Sequence, residues 1–255
     1  MTFGPPDAEI FRQPGLAVER TFQPDPAWLA DLCRWLRCPV GALGPTGWPI
    51  VLVPETVDAR FRLSEQTLQA YQQVSWSGSV TSEPLTLAAR VVWVSARGGS
   101  FEAGLRCRAT LDGEEVAASL LVVRIPGEAV SWGTRHVEAP PDLGTARRRR
   151  SLVIDEETVR TFAELAGARY PVHVDQSYAW SRGYPNVLVQ GLALLVTQLH
   201  FSEVKGPGSA RMWFRHPVPA AAALEMCRSD DDPTVWAWRM VATGQMCVLA
   251  RVESP

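Results

Sequence analysis

Lysine is almost absent from this sequence, since Lys205 is the only lysine among 25 basic residues. Long apolar runs are absent too: the longest, Val187 to Leu199, is shorter than the roughly 20 residues that span a bilayer. Met1 to Gly15 contains no basic stretch followed by an apolar one, which is the pattern of a secretory signal. We therefore expect a soluble, cytoplasmic protein with no membrane partner.

A strong net charge is also missing. The formal net charge is −2 and the isoelectric point is about 6.1, so the overall charge does not favour binding to nucleic acid. Cysteine is scarce, and of the five cysteines only Cys33 and Cys38 lie close together. Because a lone pair of cysteines is a weak metal site, we expect reduced thiols, no metal and no resident cofactor.

The length and composition allow one large domain or two smaller ones. The chain has 255 residues, of which 46 % are hydrophobic, which is enough for two cores of about 120 residues each. Residues 126–149 are rich in proline and glycine and are interpreted as a linker between domains at residues 1–125 and 150–255. The run Arg147 to Arg150 at its end either steers the phosphates of coenzyme A or an acidic carrier protein, or is a solvated linker or strand edge.

The first half is expected to contain a helix followed by an antiparallel meander. Asp25 and Pro26 form a helix start, and apolar residues recur at helical spacing as far as Leu36. Some further helix is expected within Glu55 to Gln72. A hairpin turn is expected at Asp112-Gly113. Alternating residues predict three strands, which are Leu85–Ser95, Phe101–Leu111 and Glu115–Ile125.

The same order repeats in the second half. A short strand is predicted from Arg150 to Ile154, then a helix capped by Asp155, then a loop from Gly167 to His173. An almost uniformly apolar helix follows from about Gln190 to Val204. Three further strands are predicted, Ala210–His216, Val235–Ala242 and Gln245–Val252. The sequence therefore predicts an α+β protein of two tandem units, each a long apolar helix wrapped by a curved antiparallel sheet.

One segment carries a longer motif. Residues 162–195 read FAELAGARYPVHVDQSYAWSRGYPNVLVQGLALL. This segment resembles the signature of the MaoC-like, or (R)-specific enoyl-CoA hydratase, superfamily: G-D-x-N-P-x-H-x-D after a helix, a short helix, a glycine–aromatic pair, and V-H-G at the start of the central helix. Its positions are held here by Gly167, Pro171, His173, Asp175, Ala179, Gly183-Tyr184 and Val189-Gln190-Gly191. The GYP spelling, and MWFRHP at residues 212–217, are closest in style to the 3-methylfumaryl-CoA (mesaconyl) hydratases.

The resemblance implies a double hotdog fold with a degenerate first unit and a catalytic second one. In such enzymes an aspartate and a histidine hold one water, which adds to an unsaturated acyl thioester or is eliminated from its hydrated form. It implies that His173 is the catalytic acid or base and that the backbone of Gly191 receives the thioester oxygen. Tyr184 and Val189 would bind the substrate, an acyl-CoA or acyl-carrier protein. The protein would be a monomer or a homodimer.

The motif departs from this family at the residues that activate water. Ala168 occupies the aspartate position, Tyr170 the asparagine position, and Gln190 the histidine position before the helix glycine. Alanine can neither accept a proton nor orient water, so the two-residue hydration mechanism does not carry over.

Three hypotheses for the altered site stay open. In the first, the protein is a hydratase/dehydratase-type lyase in which His173 works as the only base, and Tyr170, Gln190 or a substrate group replaces the aspartate. In the second, a natural-product (polyketide) pathway uses the site for cyclisation by conjugate addition or for isomerisation, so that no water is activated. In the third, the site is inactive, and the protein binds acyl thioesters or supports a partner subunit.

Overall fold

A computed structural model of the chain describes residue 11 and residues 16–38, 44–58, 61 and 67–254. One order of elements occurs twice: a strand, a group of helices, then four strands. The first half contains β1 Ala17–Phe22, α1 Pro26–Trp35, α2 Trp48–Val51, α3 Pro54–Val57, β2 Leu68–Trp76, β3 Leu85–Arg97, β4 Ser100–Leu111 and β5 Glu114–Pro126. The second half contains β6 Ala146–Val153, α4 Glu156–Leu165, α5 Pro171–Val174, α6 Gln176–Ser181, α7 Gly191–Phe201, β7 Gly208–Phe214, β8 Ala223–Ser229, β9 Val235–Met240 and β10 Met246–Glu253.

The ten strands form one antiparallel sheet in the order β1-β3-β4-β5-β2-β7-β10-β9-β8-β6. From the outer edge inwards, the strands of the first half are β1, β3, β4, β5 and β2, and those of the second half are β6, β8, β9, β10 and β7. In each half the order is therefore first, third, fourth, fifth and second strand, so the two halves have the same topology. Their second strands, β2 and β7, meet in the middle, where Tyr71 pairs with Trp213 and Val74 with Ala210. This repeated topology agrees with the predicted α+β architecture of two tandem units.

Local signals in the sequence set several boundaries. The Asp25 carboxylate accepts a hydrogen bond from the Ala27 amide at 2.8 Å and caps α1. In the same way Asp155 accepts from the Thr158 amide at 2.7 Å and caps α4. Asp112 and Gly113 both have positive φ, 51° and 85°, as a two-residue hairpin turn of type I′ requires. The predicted caps, the hairpin and the three strands of the first meander are confirmed.

Helix α7 is the central helix of the second half. Every side chain from Leu192 to Leu199 is buried, because the sheet encloses one side of the helix and α2 packs on another. The helix ends at Phe201, three residues earlier than predicted, because Glu203 adopts a left-handed φ of 53°. No helix in the described part of the chain is long and apolar enough to cross a membrane.

The first half differs from the prediction of a long apolar helix in each unit. Among its described residues, a 3-10 turn at Gly44–Gly47 and the single-turn helix α2 pack on α7, whereas the single-turn helix α3 packs on β1, β3 and β4. The helix expected within Glu55 to Gln72 is present as α3, which ends at Val57, whereas residues 68–72 belong to β2. Pro54 cannot continue α2, and pairing with β5, joined by β7 from Tyr71 onward, holds residues 68–72 extended.

Other elements add to the expectations. The predicted loop from Gly167 to His173 ends in a helical turn, α5. Strands β1, β2 and β8 were not predicted. The run Arg147 to Arg150 lies in the edge strand β6, which agrees with the strand-edge alternative. There Arg147 pairs with Asp230 at 2.6 Å, and the Arg150 guanidinium lies 4.5 Å from the centre of the Phe201 ring.

Residues 127–145 cross the outer face of the sheet, and we call them the strap. Trp213 donates a hydrogen bond from its indole nitrogen to the Glu138 carbonyl at 3.0 Å. Leu143 packs into a small hydrophobic cluster on this face with Trp93 and other buried residues of both halves. The strap therefore covers the outer face of the sheet near the joint between the halves. The domain boundaries drawn on either side of it stay a prediction.

Substitution of Gly104 tests the packing beneath the strap. A Cβ at Gly104 would lie 2.3 Å from the indole nitrogen of buried Trp93, so we expect Gly104→Ala to lower the free energy of unfolding by about 1–3 kcal/mol. Urea denaturation measures this. The matched control is Gly78→Ala, since a Cβ at Gly78 meets nothing within 4 Å and should change stability by less than about 0.5 kcal/mol. Equal stabilities of the two variants would contradict the packing described.

Candidate active site

A cavity of about 770 Å³ lies at the start of α7. Its walls are the segment between α4 and α7, the inner faces of β2 and β5, and the chain that follows β7. All six residues predicted to form the site line it, namely Tyr170, His173, Tyr184, Val189, Gln190 and Gly191. The structure thus places these residues together, while their roles stay predictions.

The charge of the cavity lining is one-sided. Its described residues include Arg182 and Arg215, and Arg124, which pairs with Glu102 at 2.8 Å, but no aspartate or glutamate. Ala168, which the resemblance aligned with an aspartate, lines the same cavity, and no described lining residue supplies a carboxylate. The described lining can therefore attract an anionic ligand, but it holds no carboxylate that could take a proton.

His173 is held by the turn of α5. Pro171 occupies the first helical position, and the Leu188 amide donates to the Val172 carbonyl at 2.9 Å, which ties α5 to the segment before α7. The Nδ1 atom of His173 lies 2.7 Å from the Leu188 carbonyl oxygen. Because a carbonyl only accepts, Nδ1 carries the proton of this hydrogen bond.

The charge state of His173 follows from its surroundings. Burial lowers its pKa from 6.5 to about 4, and the hydrogen bond to the Leu188 carbonyl opposes part of that shift. The imidazole is therefore neutral near pH 7. With Nδ1 protonated, Nε2 keeps a lone pair and can accept a proton or a hydrogen bond.

Tyr170 and Gln190 were predicted to replace the missing aspartate. The ring of Tyr170 lies edge-on to His173, with 6.4 Å between the ring centroids. Gln190 is buried and donates from Nε2 to the Val159 carbonyl at 3.2 Å, so its amide ties the start of α7 to α4. Among the described residues its Oε1 atom has no hydrogen-bond partner. The Nε2 atom of Gln190 therefore makes a structural hydrogen bond, whereas its Oε1 atom can still accept one from a ligand.

Gly191 is the first residue of α7. The first hydrogen bond of this helix joins the Leu194 amide to the Gln190 carbonyl at 3.1 Å. Helix geometry therefore leaves the amides of residues 191–193 without acceptors inside the helix. A side chain at this position would collide with its surroundings, because a Cβ would lie 2.5 Å from the Gln69 Oε1 atom and 3.0 Å from a Phe214 ring carbon.

Three residues of the cavity were not predicted as site residues. Gln69 and Gln72 lie on β2 in the first half, outside the motif, and no signal in the sequence connects them with α7. His216, which follows β7, also lines the cavity. In the part of the chain that the structure describes, no group of three histidine, cysteine, aspartate or glutamate residues could hold a metal ion.

No protein-family model and no curated protein matches the sequence. Solved structures match nearly all of it. HtdX of Mycobacterium tuberculosis gives a TM-score of 0.75 at 15 % identity and covers 94 % of this chain and 100 % of its own. A MaoC-like dehydratase from Phytophthora capsici gives 0.74 at 13 % identity, with coverages of 97 % and 98 %. A further M. tuberculosis protein with a double hotdog fold gives 0.62 at 11 % identity, with coverages of 98 % and 97 %.

These similarities establish the fold. Each extends over both halves of the chain, and the third neighbour is itself a double hotdog. The predicted double hotdog fold is therefore confirmed. At such identities the likeness carries the architecture to this chain but not the activity of its neighbours.

The neutral state of His173 makes a testable prediction for stability. Because folding lowers its pKa from 6.5 to about 4, the unfolded chain binds the proton more tightly, and stability decreases as the pH falls through this window. We expect the wild type to lose more free energy of unfolding than His173→Gln between about pH 7 and about pH 5. Urea denaturation of both proteins at several pH values measures the difference. A difference that stays constant with pH would show that His173 keeps an ordinary pKa.

Proposed function

We propose that this protein is a hydratase/dehydratase-type lyase that acts on an acyl thioester, with His173 as its base. The observation that carries the proposal is the neutral His173, whose Nδ1 is bound to the Leu188 carbonyl and whose Nε2 is left as an acceptor in the cavity at the start of α7. A base and a helix start with unpaired amides are the two components that enolate chemistry needs.

The elimination can be written with these groups alone. The Nε2 atom of His173 takes the proton from the carbon next to the thioester carbonyl. The electron pair moves onto the carbonyl oxygen, where the Gly191 amide and the positive end of the α7 dipole stabilise the enolate. Hydroxide then leaves the next carbon and receives the proton from His173, so water and an unsaturated thioester are formed. Hydration is the reverse.

The rim of the cavity favours a phosphate-bearing handle. Arg182 and Arg215 are exposed residues of the lining, as expected for groups that meet a ligand at the entrance. The diphosphate of coenzyme A or the phosphopantetheine of a carrier protein carries the complementary charge. Tyr184 and Val189 would contact the acyl portion further in.

A second candidate is cyclisation by conjugate addition, or isomerisation, in a natural-product pathway. It is favoured by one observation, the lack of a carboxylate among the described residues of the cavity lining. In a cyclisation the substrate's own hydroxyl is the nucleophile. His173 then removes the proton of that hydroxyl, and the site does not need to bind a water molecule. The third candidate, a binding protein, requires only the cavity.

Substitution of His173 tests the lyase proposal. We expect His173→Ala to lower the turnover of 3-hydroxyacyl-CoA or 2-enoyl-CoA substrates by about 100-fold or more, because a general base contributes a factor of this size. The matched control is His136→Ala, an exposed histidine in the strap, which should retain full turnover.

Mass spectrometry of the products separates the candidates. Gain or loss of water supports the lyase, whereas unchanged mass with altered retention supports cyclisation or isomerisation. Binding of the thioester without any product by the wild type would leave only the binding protein. Full turnover by a folded His173→Ala variant would show that the base lies elsewhere.

A further inference from the structure

Gln69 projects from the first half of the chain onto the start of α7. Its Oε1 and Cδ atoms lie 2.5 Å and 2.9 Å from the position that a Cβ of Gly191 would occupy. Only glycine at position 191 allows this approach. The carboxamide of Gln69 therefore lies beside the amide proposed to receive the thioester oxygen, and it lines the same cavity as His173.

A β-bulge turns Gln69 into the cavity. In a regular strand, residues three apart point to opposite faces, so Gln69 and Gln72 would not meet. The register of β2 against β5 shifts between Gln69 and Tyr71, which adds one residue and brings both glutamines to the inner face. The Nε2 atom of Gln69 then donates to the Oε1 atom of Gln72 at 2.7 Å.

This contact fixes how the Gln69 amide is oriented. Gln72 is 2 % exposed, so its side chain is held by the surrounding core. Because Nε2 of Gln69 is committed to Gln72, the oxygen of the same amide is the atom turned towards Gly191. The first half thus presents an oriented hydrogen-bond acceptor in the same cavity that Ala168 lines, where the resemblance would place a carboxylate.

We propose that Gln69 is a substrate-positioning residue that accepts a hydrogen bond from the oxygen-bearing group of the reaction. In elimination this group is the hydroxyl that leaves the carbon next to the enolate carbon. In hydration it is the water that attacks the same carbon. This inference rests on the proposed function. A water molecule has two protons: one would go to Nε2 of His173, which takes it during the reaction, and the other would be held by Oε1 of Gln69. An amide oxygen does not take up a proton at neutral pH, so Gln69 orients the nucleophile while His173 carries out the proton transfer.

The kinetic test compares two substitutions on the same strand. Gln69→Leu removes the acceptor and is expected to lower kcat by about 10- to 100-fold, with KM changed by less than about threefold. The control is Gln73→Leu, because Gln73 accepts a hydrogen bond from Tyr71 at 3.1 Å within the outer-face cluster of Tyr71. Its kcat should stay within about twofold of the wild type. Equal kcat values for the two variants would overturn the proposal.

Restoration of a carboxylate provides a second test. Ala168 lines the same cavity, so Ala168→Asp can return the acceptor at the family's position. If Gln69 takes over the orienting part of that role, the double variant Gln69→Leu/Ala168→Asp should recover kcat by about tenfold over Gln69→Leu. A merely structural role of Gln69 predicts no recovery.

Binding to an inactive variant separates this inference from the proposed function. In the His173→Ala background, calorimetry should show that 3-hydroxybutyryl-CoA binds about 3- to 10-fold more tightly than butyryl-CoA, the difference expected for one hydrogen bond. Gln69→Leu should remove this preference. If the preference persists, the role of Gln69 is wrong even where the wild type shows lyase turnover. If the preference is lost but the wild type shows no turnover, Gln69 binds the hydroxyl and the lyase proposal fails.

Discussion

The pairing of β2 with β7 joins the two halves into one sheet, and the cavity depends on it. Tyr71 lies opposite Trp213 at this joint, and the strap covers the outer face beside it. On the inner face the same pairing places Gln69 of one half against Gly191 of the other. The motif of the second half alone would thus form an incomplete cavity, because β2 and β5 of the first half supply one of its walls.

The state of His173 depends on the absence of a carboxylate from the described lining of the cavity. A carboxylate beside an imidazole would favour the charged ring and raise its pKa. With alanine at position 168, burial is the largest effect on His173, and the carbonyl of Leu188 opposes it only in part. The remaining ring is neutral, with a defined tautomer. A neutral imidazole in a cavity without a described carboxylate suits chemistry in which a single proton moves and negative charge develops near helix amides.

Sequence reasoning succeeded where the determining residues are close in the chain. The caps at Asp25 and Asp155, the Asp112-Gly113 turn and the apolar α7 each depend on local chemistry, and the site motif lies within one continuous segment. It missed the start of β2 at residues 68–72, where pairing with β5, and with β7 from Tyr71 onward, decides the conformation. Gln69 could not be predicted as a site residue for two reasons. A β-bulge sets the direction of its side chain, and the contact between the two halves places it beside Gly191.

The junction between α2 and α3 in the first half contributes Val53 and Pro54 to the cavity wall. Pro54 has no amide proton and forces Val53 into an extended conformation, with ψ of 127°, so α2 ends and the chain turns away from its axis. Val53 and Pro54 then form part of the cavity wall. If α2 continued through Val53 and Pro54, the turn that forms this part of the cavity wall would be lost. The proline that prevents α2 from continuing therefore also shapes the cavity at the start of α7.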